Sequence, residues 1–289
     1  MPPDRSRRAS IPTVPRLDTF IDVPGGRLKV AAEGDGPPIV LVHSAVVDMR
    51  SWDALVPLLT ARGYRVIAYD TRGYGESTTE DVAFSNPADL LAVLDAAGAG
   101  RAAVVGNSRG AMIALDTLLE TPERFVAFGW VGGGIGGYED GEPTPEEVTI
   151  FEEADRLEAA GDTAALLDLE LRVWLDGVGQ PATRVPAALR EAFLRMDGPL
   201  LEPGHVWGRP TPLEPNANTR LGDIHVPTLV VVGDLDTTGT RASAAHLAES
   251  VAGARLVRLP NVAHMIGMEV PGRLAELIVE LLAPLPRWS

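Results

Sequence analysis

The 289-residue sequence contains no cysteine, which excludes disulfides, thiolate metal sites and a cysteine nucleophile. It is also short of positive charge, with 25 Lys and Arg against 40 Asp and Glu and a formal net charge of −15. Nucleic acid and anionic membranes both require a positive face, so neither is expected as a partner. No apolar run approaches the roughly 18 residues of a membrane span. A hydrophobic content of 45% instead predicts a globular protein with a large core.

The first 16 residues hold four arginines and four prolines, and no apolar segment of a secretory signal follows them. We predict a flexible tail at residues 1–16, with a nuclear or nucleic-acid role for its arginines as the less favoured interpretation. Although the absence of cysteine leaves the compartment open, the working expectation is a cytoplasmic protein. A homodimer is kept as an open alternative.

The most informative stretch is Gly106-Asn107-Ser108-Arg109-Gly110, which follows an apolar β-branched run and precedes a helix-compatible segment. A strand, a sharp turn and a helix around Gly-x-Ser-x-Gly form the context of a nucleophile elbow. The glycines leave room where strand and helix meet, and the helix start supplies free N–H groups. The alternative interpretation is a chance turn.

Apolar strands alternate with helical patterns along most of the chain, which predicts a mostly parallel sheet covered by helices on both faces. A hairpin is expected at Thr19–Val23 and Arg27–Ala32. The further predicted strands are Pro38–Val42, Arg65–Tyr69, Ala102–Val105, Phe125–Val131, Thr228–Val232 and Ala254–Arg258. The predicted helices of this domain begin at Ser51, Asn86, Arg109, Ser243 and Gly272.

The alternation of strands and helices stops after residue 131 and returns near residue 221. We therefore predict one α/β core formed by residues 17–131 and 221–289, with a helical cap inserted at 132–220. Its predicted helices are Pro145–Ala160, Thr163–Leu175 and Pro186–Met196. The glycine run at 132–137 lacks a phosphate-binding fingerprint and is interpreted as a hinge into the cap.

In four segments the chain resembles the α/β-hydrolase superfamily, in its capped serine-hydrolase form near enol-lactonases, esterases and haloperoxidases. The segments are His43-Ser44 with Trp52, Asp70-x-Arg72-Gly73-x-Gly75-x-Ser77, the Gly106–Gly110 elbow, and Gly233-Asp234-Leu235-Asp236 with Ala263-His264-Met265. The resemblance implies the α/β-hydrolase fold and an enzyme. It also implies that Asp70 and Arg72 hold loops near the site.

A serine nucleophile needs a base and a carboxylate that orients the base. Among five histidines, His264 lies between a late strand and the final helix, so we predict it as the base of Ser108. The carboxylate is Asp236 or Asp234, since both follow the strand Thr228–Val232. The resemblance favours Asp236.

The resemblance also implies an oxyanion hole formed by the backbone N–H groups of Ala45 and Arg109. Ser44 stands where the family usually has glycine, so its side chain either narrows the site or adds a hydroxyl. The side chain of Arg109 has three open interpretations: contact with an anionic substrate group, an ion pair with an acid of the cap, or a structural ion pair elsewhere.

The cap predicts a closed, mostly apolar pocket for a medium-sized ester or lactone. Ser44, Trp130, Trp174 and Trp207 are its candidate lining residues, together with Phe128 and Tyr138, although each aromatic ring could equally be core packing. Serine at position 108 disfavours haloalkane dehalogenase and epoxide hydrolase chemistry, for which the resemblance implies aspartate. Perhydrolysis, C–C bond hydrolysis and a non-catalytic ligand-binding role remain as alternatives. No metal or organic cofactor is expected.

Overall fold

A computed structural model describes residues 17–139 and 141–288. The predicted tail at 1–16 lies outside the described residues. The strands in chain order are β1 Leu17–Val23, β2 Gly26–Glu33, β3 Pro38–Val42, β4 Arg65–Tyr69, β5 Thr78–Thr79, β6 Ala83–Phe84, β7 Ala102–Asn107, β8 Phe125–Val131, β9 Arg209–Pro210, β10 Thr228–Gly233 and β11 Arg255–Leu259.

The main sheet has the order β1-β2-β4-β3-β7-β8-β10-β11, with the short β5 paired to β2. The β1–β2 and β2–β4 pairs are antiparallel, and every pairing from β4 onward is parallel. The central strands β3, β7, β8 and β10 are buried along their whole length, which explains their unbroken apolar sequences. All six parallel strands therefore end at one edge, where sites form in such sheets.

Helices cover both faces of this sheet. They are α1 Val56–Thr60, α2 Asn86–Ala96, α3 Arg109–Glu120, α4 Pro145–Ala160, α5 Thr163–Glu170, α6 Ala187–Asp197, α7 Thr238–Ser250, α8 Ile266–Glu269 and α9 Pro271–Leu282. One apolar cluster packs α2, α3 and α7 on the first face, and a second packs α1 and α9 on the other. The α/β-hydrolase fold predicted from the sequence is confirmed.

Helices α4, α5 and α6 lie between β8 and β10, in the segment predicted to be the cap, and we keep that name for the segment. A π-helix, Leu171–Asp176, continues α5 directly. An apolar cluster joins this segment and α6 to the loop after β3, through Val46 and Val47, and to Met265 beside His264. The cap therefore lies over the edge where the parallel strands end.

Two helix predictions need correction. The helix expected from Ser51 is a 3-10 turn at Met49–Trp52 followed by the short α1, because Pro57 starts a separate helix. Helix α7 begins at Thr238 and not at Ser243, since the Thr237 side chain caps it by accepting the N–H of Thr240 at 3.3 Å. The strand predictions hold to within a few residues.

The end of the cap also differs from its predicted position. A 3-10 turn at Ala217–Asp223 places Ala217 and Leu221 in the core cluster under α3. These residues precede or adjoin the predicted boundary at 220, so packing with the core resumes a few residues earlier than expected.

Candidate active site

Ser108 lies at the turn between β7 and α3 with backbone angles of φ 56° and ψ −122°. Only a strongly determined turn holds a non-glycine residue there, at a cost of about 1–3 kcal/mol. A Cβ on Gly106 would collide with the carbonyl of Gly110, and a Cβ on Gly110 would collide with the carbonyl of Val42. The two glycines are thus required by space, as the elbow interpretation predicts.

His264 and Asp236 meet at the ends of the last two strands of the sheet. Nδ1 of His264 lies 2.9 Å from each carboxylate oxygen of Asp236, and both residues are buried. Asp234 is exposed and instead accepts the backbone N–H of Asn261 at 2.7 Å. The structure therefore brings Asp236, and not Asp234, to the imidazole.

Asn107 ties the elbow to the histidine loop. Its amide donates to the carbonyls of Val131, at 3.0 Å, and His264, at 3.3 Å. Among the described residues, the hydroxyl of Ser108 makes no hydrogen bond of its own. Nucleophile–base hydrogen bonds are often long without substrate and shorten in the reacting complex.

Gly132 is a site residue that the sequence analysis interpreted only as part of a hinge. It has φ +51°, and a Cβ there would lie 3.2 Å from Oδ2 of Asp236 and 3.5 Å from Nδ1 of His264. Glycine at this position lets β8 end directly against the Asp–His pair. The sequence could have indicated this role of Gly132, because the glycine directly follows a core strand.

The loop after β3 lies beside the first turn of α3. His43 is buried, its Nε2 accepts the N–H of Thr71 at 3.0 Å, and its Nδ1 therefore donates to the carbonyl of Ser44 at 2.7 Å. Burial lowers the pKa of His43 to about 4, so the ring is neutral and holds the backbone of Ser44 in place. The hydroxyl of Ser44 is buried and has no hydrogen-bond partner among the residues that the structure describes.

The N–H groups of Ala45 and Arg109 donate to no backbone carbonyl among the described residues. Ala45 lies in the loop after β3 and Arg109 in the first turn of α3. These two segments approach closely because Gly110 has no side chain. The oxyanion hole at these two groups stays a prediction; in such a site each N–H donor is worth about 10²–10³ in rate.

The side chain of Arg109 contacts neutral groups in the described part of the chain. It donates to Oγ1 of Thr71 at 2.9 Å and to Asn86 at 3.4 Å, and its guanidinium lies 5.0 Å from the ring centroid of Tyr74. No ion pair to Arg109 occurs in the part of the chain that the structure describes. Both ion-pair interpretations of Arg109 are therefore wrong.

The Asp70–Ser77 segment is architectural in the structure. Asp70 accepts the N–H groups of Met49, at 2.9 Å, and Glu76, at 2.8 Å. Arg72 forms a buried ion pair with Asp89, at 2.6 Å and 2.9 Å. These contacts hold the loop that carries Thr71 and Tyr74 against the site.

A model of the alpha/beta hydrolase family matches residues 39–277. The chain belongs to this family. It is 30% identical over 270 residues to rhodomycin D methylesterase DauP of Streptomyces sp. (strain C5), covering 83% of this chain and 89% of the relative. This hydrolase is therefore an enzyme with an esterase among its relatives.

Solved structures agree with this assignment. A hydrolase from Pseudomonas aeruginosa PA01 superposes with a TM-score of 0.70 at 25% identity, over 92% of this chain and 98% of the other. The enol-lactonase from Burkholderia xenovorans LB400 gives a TM-score of 0.71 at 24% identity, over 92% and 100% of the two chains. The second match shows the shared fold alone.

Trp174 connects the cap of the hydrolase to its histidine. The two ring centroids are 4.7 Å apart. Trp207 lies farther out and is 41% exposed, and its ring is tilted against that of Tyr74 with the two centroids 5.1 Å apart. Trp130 needs correction as a lining residue, because it is fully buried in the core with Phe128 and cannot face an open pocket.

Arg184 locks the cap onto the histidine loop. It donates to the carboxylate of Glu269 at 2.6 Å and to the carbonyl of Asn261 at 3.0 Å, and within the cap it donates to the carbonyls of Leu175 and Asp176. The other oxygen of Glu269 accepts the N–H of Ala263, next to His264, at 2.9 Å. One buried ion pair therefore sets the cap relative to the catalytic candidates.

No helix in the described part of this hydrolase is both long and apolar enough to span a bilayer. Residues 17–139 and 141–288 also contain no cluster of three or more His, Asp or Glu side chains arranged to hold a metal ion.

Proposed function

We propose that this hydrolase cleaves a carboxylic ester or lactone of a medium-sized, mostly apolar substrate through an acyl-enzyme on Ser108. The observation that carries the proposal is the buried Asp236–His264 pair beside a serine in the elbow conformation. The methylesterase relative, at 30% identity, supports an ester as the bond that is cleaved.

In the proposed reaction, the hydroxyl of Ser108 attacks the carbonyl carbon and its proton passes to Nε2 of His264. Asp236 keeps Nδ1 protonated and stabilises the imidazolium that forms. The tetrahedral oxyanion is held by the N–H groups of Ala45 and Arg109. Its collapse breaks the ester C–O bond, and the alcohol leaves with the proton from His264.

Deacylation repeats these steps with water as nucleophile. His264 takes a proton from the water as it attacks the acyl carbon, and returns a proton to Ser108 as the acid leaves. A lactone follows the same route, except that its alcohol stays attached to the acyl chain. The cap favours an apolar substrate, because Trp174 lies on the ring of His264 and an apolar cluster of Val46, Met265 and the inward face of α6 packs behind it.

The test is labelling with a fluorophosphonate, followed by mass spectrometry, on the wild type and on Ser108→Ala. We expect a single adduct on Ser108 and none on the variant, together with a loss of ester hydrolysis of about 10⁴-fold or more. Ser250→Ala, at the far end of α7, is the matched control and should label and turn over like the wild type. Hydrolysis retained by folded Ser108→Ala would contradict the proposal.

Assays on methyl esters, p-nitrophenyl esters of increasing chain length and lactones define the substrate class. The same preparations assayed for peroxide-dependent chemistry and for cleavage of a vinylogous 1,5-diketone separate the perhydrolase and C–C hydrolase alternatives. Turnover restricted to either of those would replace the ester proposal while keeping the same three residues.

A further inference from the structure

Arg109 directly follows the proposed nucleophile, and no acid of the described residues pairs with its charge. Its Nη1 donates to Oγ1 of Thr71 at 2.9 Å, and its Nη2 donates to Oδ1 of Asn86 at 3.4 Å. Both acceptors are neutral, and so is the ring of Tyr74 beside the guanidinium. A guanidinium has five N–H donors, of which two are used here, so its capacity to bind a further acceptor is large.

The position of Arg109 is unfavourable for a cation. Arg109 is the first residue of α3, and the first turn of that helix contains no acidic residue. Because the N-terminal end of a helix carries partial positive charge, a cation there is destabilising. The charge also acts on the core: burial is the main cause of the lowered pKa of His43, and Arg109 lowers it further. The fold therefore holds a positive charge without a counter-ion next to Ser108.

The guanidinium borders a cavity of about 640 Å³, which we call the α3 cavity. Its lining residues on α3 have the spacing of one helical face and are Arg109, Met112, Ile113 and Asp116. Most of its other lining residues belong to the two ends of the cap, at positions 136–137 and 210–217. The cavity thus begins at the residue after the nucleophile and extends along α3.

The cavity offers apolar surface beside the charge. Met112 is 36% exposed, one of the few large apolar side chains that the described chain leaves open to solvent. Leu213 and two prolines, Pro210 and Pro212, line the cavity with it. Apolar surface next to a cation suits a ligand with an apolar body and an anionic group.

The acids of the cavity lie away from Arg109 along α3. Asp116 is seven residues later, about two helical turns, and burial raises its pKa to about 6. Glu214 is the other acid in the lining. An anion is therefore favoured at the Arg109 end alone.

The number of cations selects the kind of anion. Among the described residues that line the cavity, Arg109 is accompanied by no lysine and no second arginine. One guanidinium matches one carboxylate in charge and in its paired donor geometry. A phosphate group carries up to two negative charges at neutral pH and would need more cations than the cavity provides.

We propose that the α3 cavity binds a carboxylate of the substrate through the guanidinium of Arg109. The substrate class is then an ester or lactone that also carries a free carboxylate. Asn86 lines the same end of the cavity, and its side-chain N–H₂ has no acceptor among the described residues, so it supplies a further donor. The bond cleaved rests on the proposed function above, whereas carboxylate binding at Arg109 does not depend on it.

The binding experiment compares hexanoate with hexanamide, a neutral probe of the same shape, by isothermal titration at pH 7.5. We expect hexanoate to bind the wild type at least tenfold more tightly. Arg109→Gln keeps a hydrogen-bonding side chain but removes the charge, and should abolish this preference. The matched control is Arg101→Gln, which removes an arginine that also donates to carbonyls but precedes β7, at the end of the strand opposite the elbow. It should keep the preference.

The hydrolysis experiment compares monomethyl adipate with its neutral amide, methyl 6-amino-6-oxohexanoate. The ratio of their kcat/KM values should fall at least tenfold in Arg109→Gln and stay at the wild-type value in Arg101→Gln. Both substrates present the same ester to Ser108, so damage to the backbone at residue 109 lowers both rates and cancels in the ratio. Circular dichroism verifies folding, and Arg109→Met replaces Arg109→Gln if that variant does not fold.

The outcomes separate the two proposals. Equal wild-type affinity for the two probes overturns the carboxylate site. A preference that survives in Arg109→Gln also overturns it, because the carboxylate then binds elsewhere, as at the backbone N–H groups of the predicted oxyanion hole. Either result leaves ester hydrolysis untouched. Conversely, Arg109-dependent binding of hexanoate by a protein that hydrolyses neither ester would uphold the site and contradict the proposed function.

Discussion

The core and the cap differ in the kind of buried polar group that lacks a hydrogen-bond partner among the described residues. In the core, Arg72 and Asp89 pair with each other, and both ring nitrogens of His43 are hydrogen-bonded. In the described residues, the buried side-chain atoms without a partner are Ser44 Oγ, Trp52 Nε1, Glu170 Oε2, Asp176 Oδ1 and Asp197 Oδ2. Three of these five are carboxylate oxygens of the cap, although the second oxygen of Asp176 pairs with Arg190.

This difference separates two tasks. The core carries Ser108, Asp236 and His264, the residues of the proposed reaction, and its buried atoms without a partner in the described residues, Ser44 Oγ and Trp52 Nε1, are neutral. The cap covers the predicted site, and three carboxyl groups in its described part each have one oxygen buried in this way. We infer that the chemistry resides in the core and that substrate choice resides in the cap and in the α3 cavity at its two ends. The following predictions test that division, beginning with the largest effect.

Asp236→Asn tests the core side of the comparison. The amide cannot hold His264 in the tautomer that accepts the proton of Ser108, and such a change lowers kcat by about 10⁴-fold in serine hydrolases. Steady-state hydrolysis of a p-nitrophenyl ester measures it. Asp234→Asn is the matched control and should have little effect, because Asp234 bonds Asn261 and not the imidazole. A larger loss from Asp234→Asn would reverse the two roles.

Arg184→Met tests the joint between cap and core. The guanidinium is 13% exposed and its partner Glu269 only 5%, so removing one member leaves a buried charge at a cost of about 3–5 kcal/mol in unfolding free energy. Urea unfolding measures this change, and Glu269→Gln in the same chain should recover part of it. Arg172→Met breaks an exposed pair and should cost less than about 1 kcal/mol. Equal effects from the two arginine variants would show that the cap is not held by this contact.

The titration of His43 makes the free energy of unfolding depend on pH, with a sign that can be stated. Its pKa is about 4 in the folded protein against an ordinary value of 6.5, so the unfolded chain binds more protons between these values. Its contribution to stability is complete above pH 6.5 and decreases by about 3 kcal/mol as the pH falls to 4. Unfolding of the wild type and His43→Gln at pH 7 and pH 4.5 measures the contribution as a difference between the two proteins. Asp70, whose pKa burial raises to about 6, changes stability in the opposite direction, but this effect is common to both. A difference that does not vary with pH would contradict the buried neutral ring.

Much of the core was predictable because its signals are local. Unbroken apolar runs gave strands such as Pro38–Val42 and Phe125–Val131 at their observed bounds, since a parallel strand buried on both faces tolerates little else. The elbow was also local, because the space around Ser108 is closed by glycines two residues away on either side. The prediction that Trp130 lines a pocket was wrong. The sequence of a buried strand does not show whether an aromatic side chain faces the core or a pocket.

The cap was less predictable, because its important contacts join distant residues. Nothing within the sequence around Glu170 indicates that Asp197, 27 residues later, will lie against it, or that Arg184 will reach Glu269 across the cap–core junction. Short helices with mixed polarity leave several packings open, and the apolar face of α6 against Val46 and Met265 selects one.

The sequence by itself determined the parallel core, the position of the elbow and the residue types that could form a nucleophile, a base and a carboxylate. Tertiary structure decided that Asp236 reaches His264, that Gly132 lies against both, and that two acids of the cap share one buried space. The physical reason is range: strand burial and turn sterics act over a few residues, whereas charge pairing and burial depend on which distant segments the fold brings together.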